Sequence, residues 1–352
     1  MDNRCFILMK KEIRFGLIGC GRIAYKHLEA FKETENAKLV AVCDKNEELA
    51  KKIAEEQGCD YHTDYLEMLK RDDIDVVDVC TPNGSHPKFA IDIANHKKHV
   101  LTEKPMSLKV DDGERMIQAC KDNCVRLFVI KQNRYNPPIV KLREAIDKGR
   151  FGKLFIGNIT VRWTRPQDYY DQNEWHGSKD VDGGMLFTQA SHHVDMLQWM
   201  MGPIHSVQAK VDNLNHNIET EDTAVAILKF KNGAMGVIEA TTCTFPKNLE
   251  GSITILGEKG TVKIGGVAMN KIDHWEFADF ENDDDSIKEV ATFPANVYGF
   301  GHKEVVKNVV NVLSDSENPC VPDVQGEEGL KSVRIIQAIY ESSETGKEIF
   351  FD

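Results

Sequence analysis

The sequence predicts an α/β protein: a doubly wound parallel sheet in the first part, then an α+β domain with a large, mostly antiparallel open sheet. Three observations predict it. Apolar runs alternate with stretches of helical spacing over the first 130 residues. A glycine-rich turn joins the first apolar run to the first helical one. After about residue 150, strand-like segments follow one another through tight turns.

The elements follow in chain order. Ile13 to Gly19 reads as a continuous apolar strand, and Ile23, His27, Leu28 and Phe31 then recur at helical spacing. Leu39 to Cys43 is a strand, and Leu49, Ala50, Ile53 and Ala54 mark one helical face. Val76 to Cys80 is strand, Lys88 to Asn95 helix, Val100 to Thr102 strand, Asp112 to Asp122 helix and Val125 to Ile130 strand. Strands apolar on both faces and separated by helices predict a parallel sheet covered on both sides.

Beyond residue 150 the pattern changes. A long strand runs from Leu154 to Trp163, and others pass through Val207, Thr223 to Phe230, Met235 to Ala240, Ser252 to Leu256 and Thr261 to Ile264. Asn232-Gly233 and Glu258-Lys259-Gly260 are hairpin turns. Two helical patterns, roughly 301–313 and 325–345, close the chain. Glu281 to Asp285 reads as a solvated loop.

Composition narrows the function. The chain has 352 residues, 41% hydrophobic and 28% charged, enough for two sizeable cores. Its 44 basic and 56 acidic residues give a net charge of −12, which disfavours nucleic-acid binding. No apolar run is long enough for a membrane span. The nine cysteines include no C-x-x-C pair, so reduced thiols in a cytoplasmic protein are expected.

Gly19-Cys20-Gly21-Arg22-Ile23-Ala24 fits G-x-G-x-x-A between a strand and a helix. The first glycine permits the tight turn and the second admits a pyrophosphate. The small third residue lets helix and strand pack closely. Asp44 ends the second strand, about 20–25 residues on, where a carboxylate receives the ribose hydroxyls. The pattern predicts a Rossmann domain that binds NAD in preference to NADP, with Lys45 the one ambiguous neighbour. The expected division is 1–131 for NAD binding and 132–352 for substrate binding and oligomerisation, with the last helices packing back on the first domain.

Ligands of such sheets bind beyond the carboxyl ends of the strands. Those ends carry Thr81-Pro82-Asn83-Gly84-Ser85-His86, Glu103-Lys104-Pro105 and Lys131-Gln132-Asn133-Arg134. A partly desolvated Lys104 there can lower its pKa or hydrogen-bond a reacting oxygen.

Glu103-Lys104-Pro105, with Gly19–Ala24 and Thr81-Pro82, resembles the Gfo/Idh/MocA family of nicotinamide-dependent sugar and polyol oxidoreductases. Trp175, Asp182-Gly183-Gly184 and His192-His193-Val194-Asp195 are similar to its second half, as is Ala338-Ile339-Tyr340 with Thr345-Gly346-Lys347. Five further segments resemble the bacterial UDP-N-acetyl-2-amino-2-deoxyglucuronate dehydrogenases. They are Lys131 to Arg134, Arg162-Trp163-Thr164-Arg165-Pro166, Gln189-Ala190-Ser191-His192, Asn248 to Ser252 and Gly257 to Gly266.

The resemblance implies oxidation of the C3′ hydroxyl of a UDP-sugar uronic acid, UDP-N-acetylglucosaminuronic acid (UDP-GlcNAcA). The product would feed a PLP-dependent amination toward lipopolysaccharide O-antigen sugars. It implies cofactor contacts from Gly19, Gly21, Arg22, Ile23, Asp44, Thr81, Pro82, Asn83, His86, Glu103, Lys104 and Gln132. Substrate contacts would come from Lys104, Asn133, Arg134, Arg162, Arg165, Tyr169, Gln189, Ser191 and His192. NADH either exchanges freely or is reoxidised in place by a 2-oxoacid such as 2-oxoglutarate. A homo-oligomer, dimer or tetramer, would cover the open sheet.

An anionic substrate on an acidic protein needs a local basic cluster, expected from Lys131, Arg134, Arg162 and Arg165. Tyr169, Tyr170 and Trp175 either shape the nucleotide-sugar region or pack the core. His192 is expected as the base and Lys104 as the group that polarises the oxygen. Thr188 stands where many family members have an aspartate, so Lys104 can share the proton transfer; His176 replaces the usual arginine. Three rivals stay open: a metal hydrolase using His192, His193 and Asp195, with no metal otherwise expected; a non-enzymatic dinucleotide sensor; and a family member acting on inositol, a free sugar or a glycosidic bond.

Overall fold

In the computed structural model, residues 11–279, 281, 287, 301–314 and 324–351 are described. The first domain runs β1 (Ile13–Ile18), α1 (Ala24–Glu33), β2 (Ala37–Cys43), α2 (Glu47–Gln57), β3 (Asp60–His62), α3 (Tyr65–Leu69), β4 (Val76–Val79), α4 (His86–Asn95), β5 (His99–Thr102), α5 (Val110–Asp122) and β6 (Leu127–Val129). Its six strands are all parallel, in the order β3-β2-β1-β4-β5-β6. The order reverses beside β1, and that crevice is where a doubly wound sheet binds its ligand. β1 and β4 are buried almost throughout, which is why they read as continuous apolar runs.

The second domain runs α6 (Pro137–Asp147), β7 (Leu154–Arg162), α7 (Gln167–Asp171), α8 (Met185–Thr188), α9 (Ser191–Met201), β8 (Ile204–Asp212), β9 (Thr223–Phe230), β10 (Met235–Thr241), β11 (Glu250–Gly257), β12 (Gly260–Gly265) and β13 (Lys271–Phe277). The chain closes with α10 (His302–Ser314), α11 (Gly326–Thr345) and β14 (Ile349–Phe350). The eight strands lie in the order β13-β12-β11-β7-β10-β9-β8-β14. All pairs are antiparallel except β7 with β10. Both expected turns are present, at Asn232-Gly233 between β9 and β10 and at Glu258-Lys259 between β11 and β12. Of the expected loop at 281–285, residues 282–285 lie outside the described residues.

One face of this sheet is covered. Gly157 of β7 lies so close to Leu197 and Met201 of α9 that a Cβ there would stand 2.8 Å from Leu197 Cδ1. That close approach seats α9 on the sheet. The other face stays open. It exposes Val225, Ile227 and Met235 across β9 and β10.

The last two helices return to the first domain. Val305, Val306, Val309, Val310 and Val312 of α10 share a core with Phe15, Leu17, Leu28 and Phe31. α11 packs against α5 and β6 on one side and α9 and β8 on the other. No helix among the described residues is long and apolar enough to cross a membrane.

Candidate active site

The glycine turn is built for close approach. Gly19 has φ +94°, and a Cβ there would stand 2.7 Å from the Cys80 carbonyl oxygen. At Gly21 a Cβ would meet nothing within 4 Å, so this side is open to a ligand. No side chain caps the start of α1 at Ile23, which leaves the helix N-terminus available to an anion. Arg22 is exposed beside it. Asp44 accepts the Cys20 N–H at 2.8 Å and the Asn46 N–H at 2.8 Å, so its carboxylate steadies the turn from the end of β2. These residues fit a dinucleotide.

The loop after β4 stitches the two domains together. The Asn83 amide donates to the Asp182 carbonyl at 2.8 Å and to Thr188 Oγ1 at 2.9 Å. Gly84 N–H donates to the Val181 carbonyl at 2.9 Å. Thr81 Oγ1 pairs with Ser85 Oγ at 2.8 Å, next to Pro82. His86 is fully buried, its ring nitrogens 2.8 Å and 2.7 Å from the carbonyls of Pro105 and Thr81. The Asn83 amide group and the His86 ring, both expected beside the cofactor, are bonded within the protein and bridge neighbouring loops. The Glu103 carboxylate is likewise engaged, accepting from His27 at 3.0 Å and from the Lys104 N–H at 2.9 Å.

Lys104 reaches across the domain boundary and donates from Nζ to the Thr188 carbonyl at 3.0 Å. Burial lowers its pKa, partly offset by Glu103 and Asp182, while Arg165 adds to the lowering. Thr188 also donates its hydroxyl to the Asp182 carboxyl. Asp182 thus brings a carboxylate to this corner, although position 188 has none. Burial pushes its own pKa up, against the bonds from Thr188 and the Gly177 N–H.

His192 lies in the first turn of α9, 7% exposed, with neither ring nitrogen hydrogen-bonded among the described residues. Burial, reinforced by the charges of Lys104 and Lys131, holds its pKa well below 6.5. The ring is therefore neutral near pH 7 and can accept a proton. Ser191 Oγ and Gln132 Oε1 are likewise buried without a partner among the described residues, the signature of a polar ligand site. Asn133 is buried next to Gln132.

The basic cluster is smaller than expected. Arg134 grips Asp195 with two bonds, at 2.9 Å and 2.8 Å, and Lys131 lies 3.4 Å from the same carboxylate and 2.7 Å from Ser332 Oγ. Both cations are spent inside the protein. Arg162 points to the open face of the sheet, because Gly157, Ile159 and Val161 take the covered face and strand side chains alternate. There it pairs with Glu239 at 2.6 Å and Glu250 at 3.2 Å. Arg165 lies near Lys104, its guanidinium donating to its neighbour's carbonyl and standing 5.3 Å from the rings of Trp163 and Tyr169. Tyr169 stacks on His176 at 4.6 Å and receives the Gln189 amide at 3.4 Å. Tyr170 is a core residue, bonded to Thr242.

The metal-hydrolase rival fails on direction. His193 packs edge-on against Trp163, Asp195 turns to Arg134, and His192 faces Lys104, so the three do not converge.

Two family descriptions match this chain. Residues 13–131 match the oxidoreductase family's NAD-binding Rossmann fold, and residues 143–350 match its C-terminal alpha/beta domain, GFO_IDH_MocA in both cases. The chain belongs to the Gfo/Idh/MocA oxidoreductase family. It is an NAD-dependent sugar oxidoreductase by that membership. Among its Gfo/Idh/MocA relatives, the myo-inositol 2-dehydrogenase of Thermotoga maritima is 30% identical over 345 residues, covering 96% of this chain and 98% of that protein. The WlbA dehydrogenase of Bordetella pertussis, solved with NADH and UDP-GlcNAcA, is 45% identical with a TM-score of 0.93 over 97% of this chain and 98% of that one. The WlbA dehydrogenase of Chromobacterium violaceum, solved with the same two ligands, is 42% identical with a TM-score of 0.91 over 98% of this chain and 97% of that one.

Three residues of this site escaped the sequence reading in their structural roles. Asp182 was visible beside Gly183-Gly184, but its bond to Thr188 depends on a tertiary turn. Asp78 is a lone charge inside an apolar strand, and His27 a lone histidine on the apolar face of α1; each signal was present and weak.

Proposed function

We propose that this Gfo/Idh/MocA protein oxidises the C3′ hydroxyl of UDP-N-acetyl-D-glucosaminuronic acid to the ketone with NAD. The observation that carries the reading is the 42–45% identity, over nearly the whole chain, to two enzymes solved with that sugar nucleotide. The myo-inositol dehydrogenase is more distant, at 30%. Arg165 supports the same reading: a guanidinium with no carboxylate partner among the described residues stands near Lys104, suited to a uronate carboxylate.

In this mechanism Arg165 orients the sugar, with Tyr169 and Gln189 beside it. Lys104 donates a hydrogen bond to the reacting oxygen and stabilises negative charge there as the hydroxyl loses its proton. Neutral His192 receives that proton on a ring nitrogen. Bound NAD supplies the hydride acceptor. Asn83 and Asp182 hold Thr188, and through it Lys104, in register with His192. Pairing of the open sheet faces through Val225, Ile227 and Met235 would make the active form a homo-oligomer.

The test is absorbance at 340 nm with purified protein, NAD and UDP-GlcNAcA, with and without 2-oxoglutarate. NADH formed without the oxoacid supports a freely exchanging dehydrogenase. A 3-keto product formed only with the oxoacid, without net NADH, supports a retained and recycled cofactor. No product under either condition, with turnover of myo-inositol instead, overturns the substrate assignment.

A further inference from the structure

Beneath Lys104, on the side away from the cleft, four titratable side chains from four elements meet in the core. His27 comes from α1, Asp78 from β4, Glu103 from the end of β5 and His302 from the start of α10. Each is at most 4% exposed. His27 Nδ1 lies 2.6 Å from Asp78 Oδ2, and Nε2 lies 3.0 Å from Glu103 Oε1. An ionised carboxylate only accepts hydrogen bonds, so with both carboxylates ionised each ring nitrogen donates one. That arrangement makes the ring between them an imidazolium, buried away from water.

The surroundings agree with that assignment. Burial alone would discharge His27, but the Asp78 carboxylate beside it holds its pKa well above 6.5. Burial would likewise neutralise Glu103. The bond from His27 and the nearby His302 ring, with the charges of His27 and Lys104, keep its pKa well below the usual carboxylate value. His302 lies edge-on to His27 at 5.2 Å and 3.6 Å from Glu103 Oε1, and burial keeps it neutral. The other carboxylate oxygen, Glu103 Oε2, accepts the backbone N–H of Lys104 at 2.9 Å. The line of contacts therefore runs Asp78, His27, Glu103, Lys104, and ends at the Thr188 carbonyl.

We propose that His27 is a positioning residue of this enzyme: a buried cation that holds Glu103 between Asp78 and Lys104 and so fixes the strand end from which Lys104 meets the substrate. A histidine that merely fills the core would need one ring proton and no ionised partner at each end. This one has a carboxylate at both. The geometry also explains why a charged pair is kept next to the nucleotide turn. Without the imidazolium, two buried carboxylates would share one compartment, and one would have to take up a proton.

The inference rests on the reading of Lys104 as a reacting group, and its test separates the two. H27Q, E103Q and the double variant are assayed with NAD and UDP-GlcNAcA. H27Q is expected to lower kcat by about 10- to 100-fold, the cost of displacing a reacting group by roughly an ångström, with KM for both ligands nearly unchanged. Because His27 acts through Glu103, the double variant should be no slower than E103Q alone. H27Q with full kcat, or effects that multiply in the double variant, would overturn the proposal. If H27Q fails to fold, nitrogen-15 NMR of the wild-type histidines decides. His27 should show both ring nitrogens protonated at pH 7, and a single protonated nitrogen there overturns the proposal. A wild-type protein silent with UDP-GlcNAcA removes the substrate reading alone, and the NMR result then decides the role of His27.

Discussion

Lys104 and Thr188 meet across the domain boundary, the ammonium of one donating to the carbonyl of the other at 3.0 Å. The bond ties the end of β5 in the nucleotide domain to the turn that precedes His192. Relative motion of the domains would therefore change the distance between Lys104 and His192, the two groups proposed to handle the substrate oxygen. A rigid crossing matters most where a proton and a hydride must leave in concert.

Replacing Lys104 tests the division of labour. K104M is expected to lower kcat by about 10²–10⁴-fold while leaving NADH binding, followed by fluorescence, within a few-fold of wild type. Near-full turnover in K104M, with none in H192A, would leave His192 as the base without help from Lys104.

Arg165 should discriminate between substrates by charge. R165L is expected to raise KM for the uronate by roughly 10–100-fold, equivalent to about 1.5–3 kcal/mol for a charge-assisted bond. It should affect the uncharged UDP-N-acetylglucosamine far less. Equal losses for both nucleotides would place the carboxylate elsewhere.

Asp195 answers two buried cations. D195N leaves Lys131 and Arg134 without their carboxylate, and breaking such a pair from one side costs about 3–5 kcal/mol. Urea unfolding at pH 7 measures it. A loss below about 1 kcal/mol would mean that water or Glu328 already compensates the cations.

His193 makes the fold acid-sensitive. Burial lowers its pKa from 6.5 to about 3, so between those values the unfolded chain binds a proton that the native protein refuses. Its contribution to stability is present in full above pH 6.5 and is lost progressively as pH falls toward 3. H193Q, which does not titrate, should show a flatter dependence of urea midpoint on pH across that window. An unchanged slope would assign the acid sensitivity to other groups.

Much of this was legible in the residues. The parallel strands announce themselves because both of their faces are buried, and the glycine turn with Asp44 carries its own spacing. β3 went unread because Asp60 and Tyr61 are exposed at the sheet edge and show no apolar pattern. α9 went unread for the opposite reason: it is buried nearly all round, which erases helical periodicity. α6 hides behind Pro137-Pro138, residues that look like a break but open a helix. β13 is masked by the irregularity between Lys263 and Ile264 in its pairing with β12. At the site, Lys104, His192 and Arg165 stood out by their surroundings in sequence, and the structure brings Lys104 near both of the others. The ion pairs of Arg134 and Arg162 were not legible, because a charged residue's partner, or the side of the sheet it takes, is decided by residues far along the chain. Asp195 lies 61 positions from Arg134 and Glu239 lies 77 from Arg162.

The five valines of α10 carry a consequence for how the molecule is made. They complete the core that begins with Phe15 and Leu17, yet they are synthesised some three hundred residues later. The nucleotide half leaves the ribosome first but with one flank of its sheet bare, and it stays bare until the second sheet has been translated. A chain stopped at residue 131 would expose that flank permanently. The boundary that divides the sequence into two domains is thus not the boundary of the first domain's core, which α10 completes only near the end of synthesis.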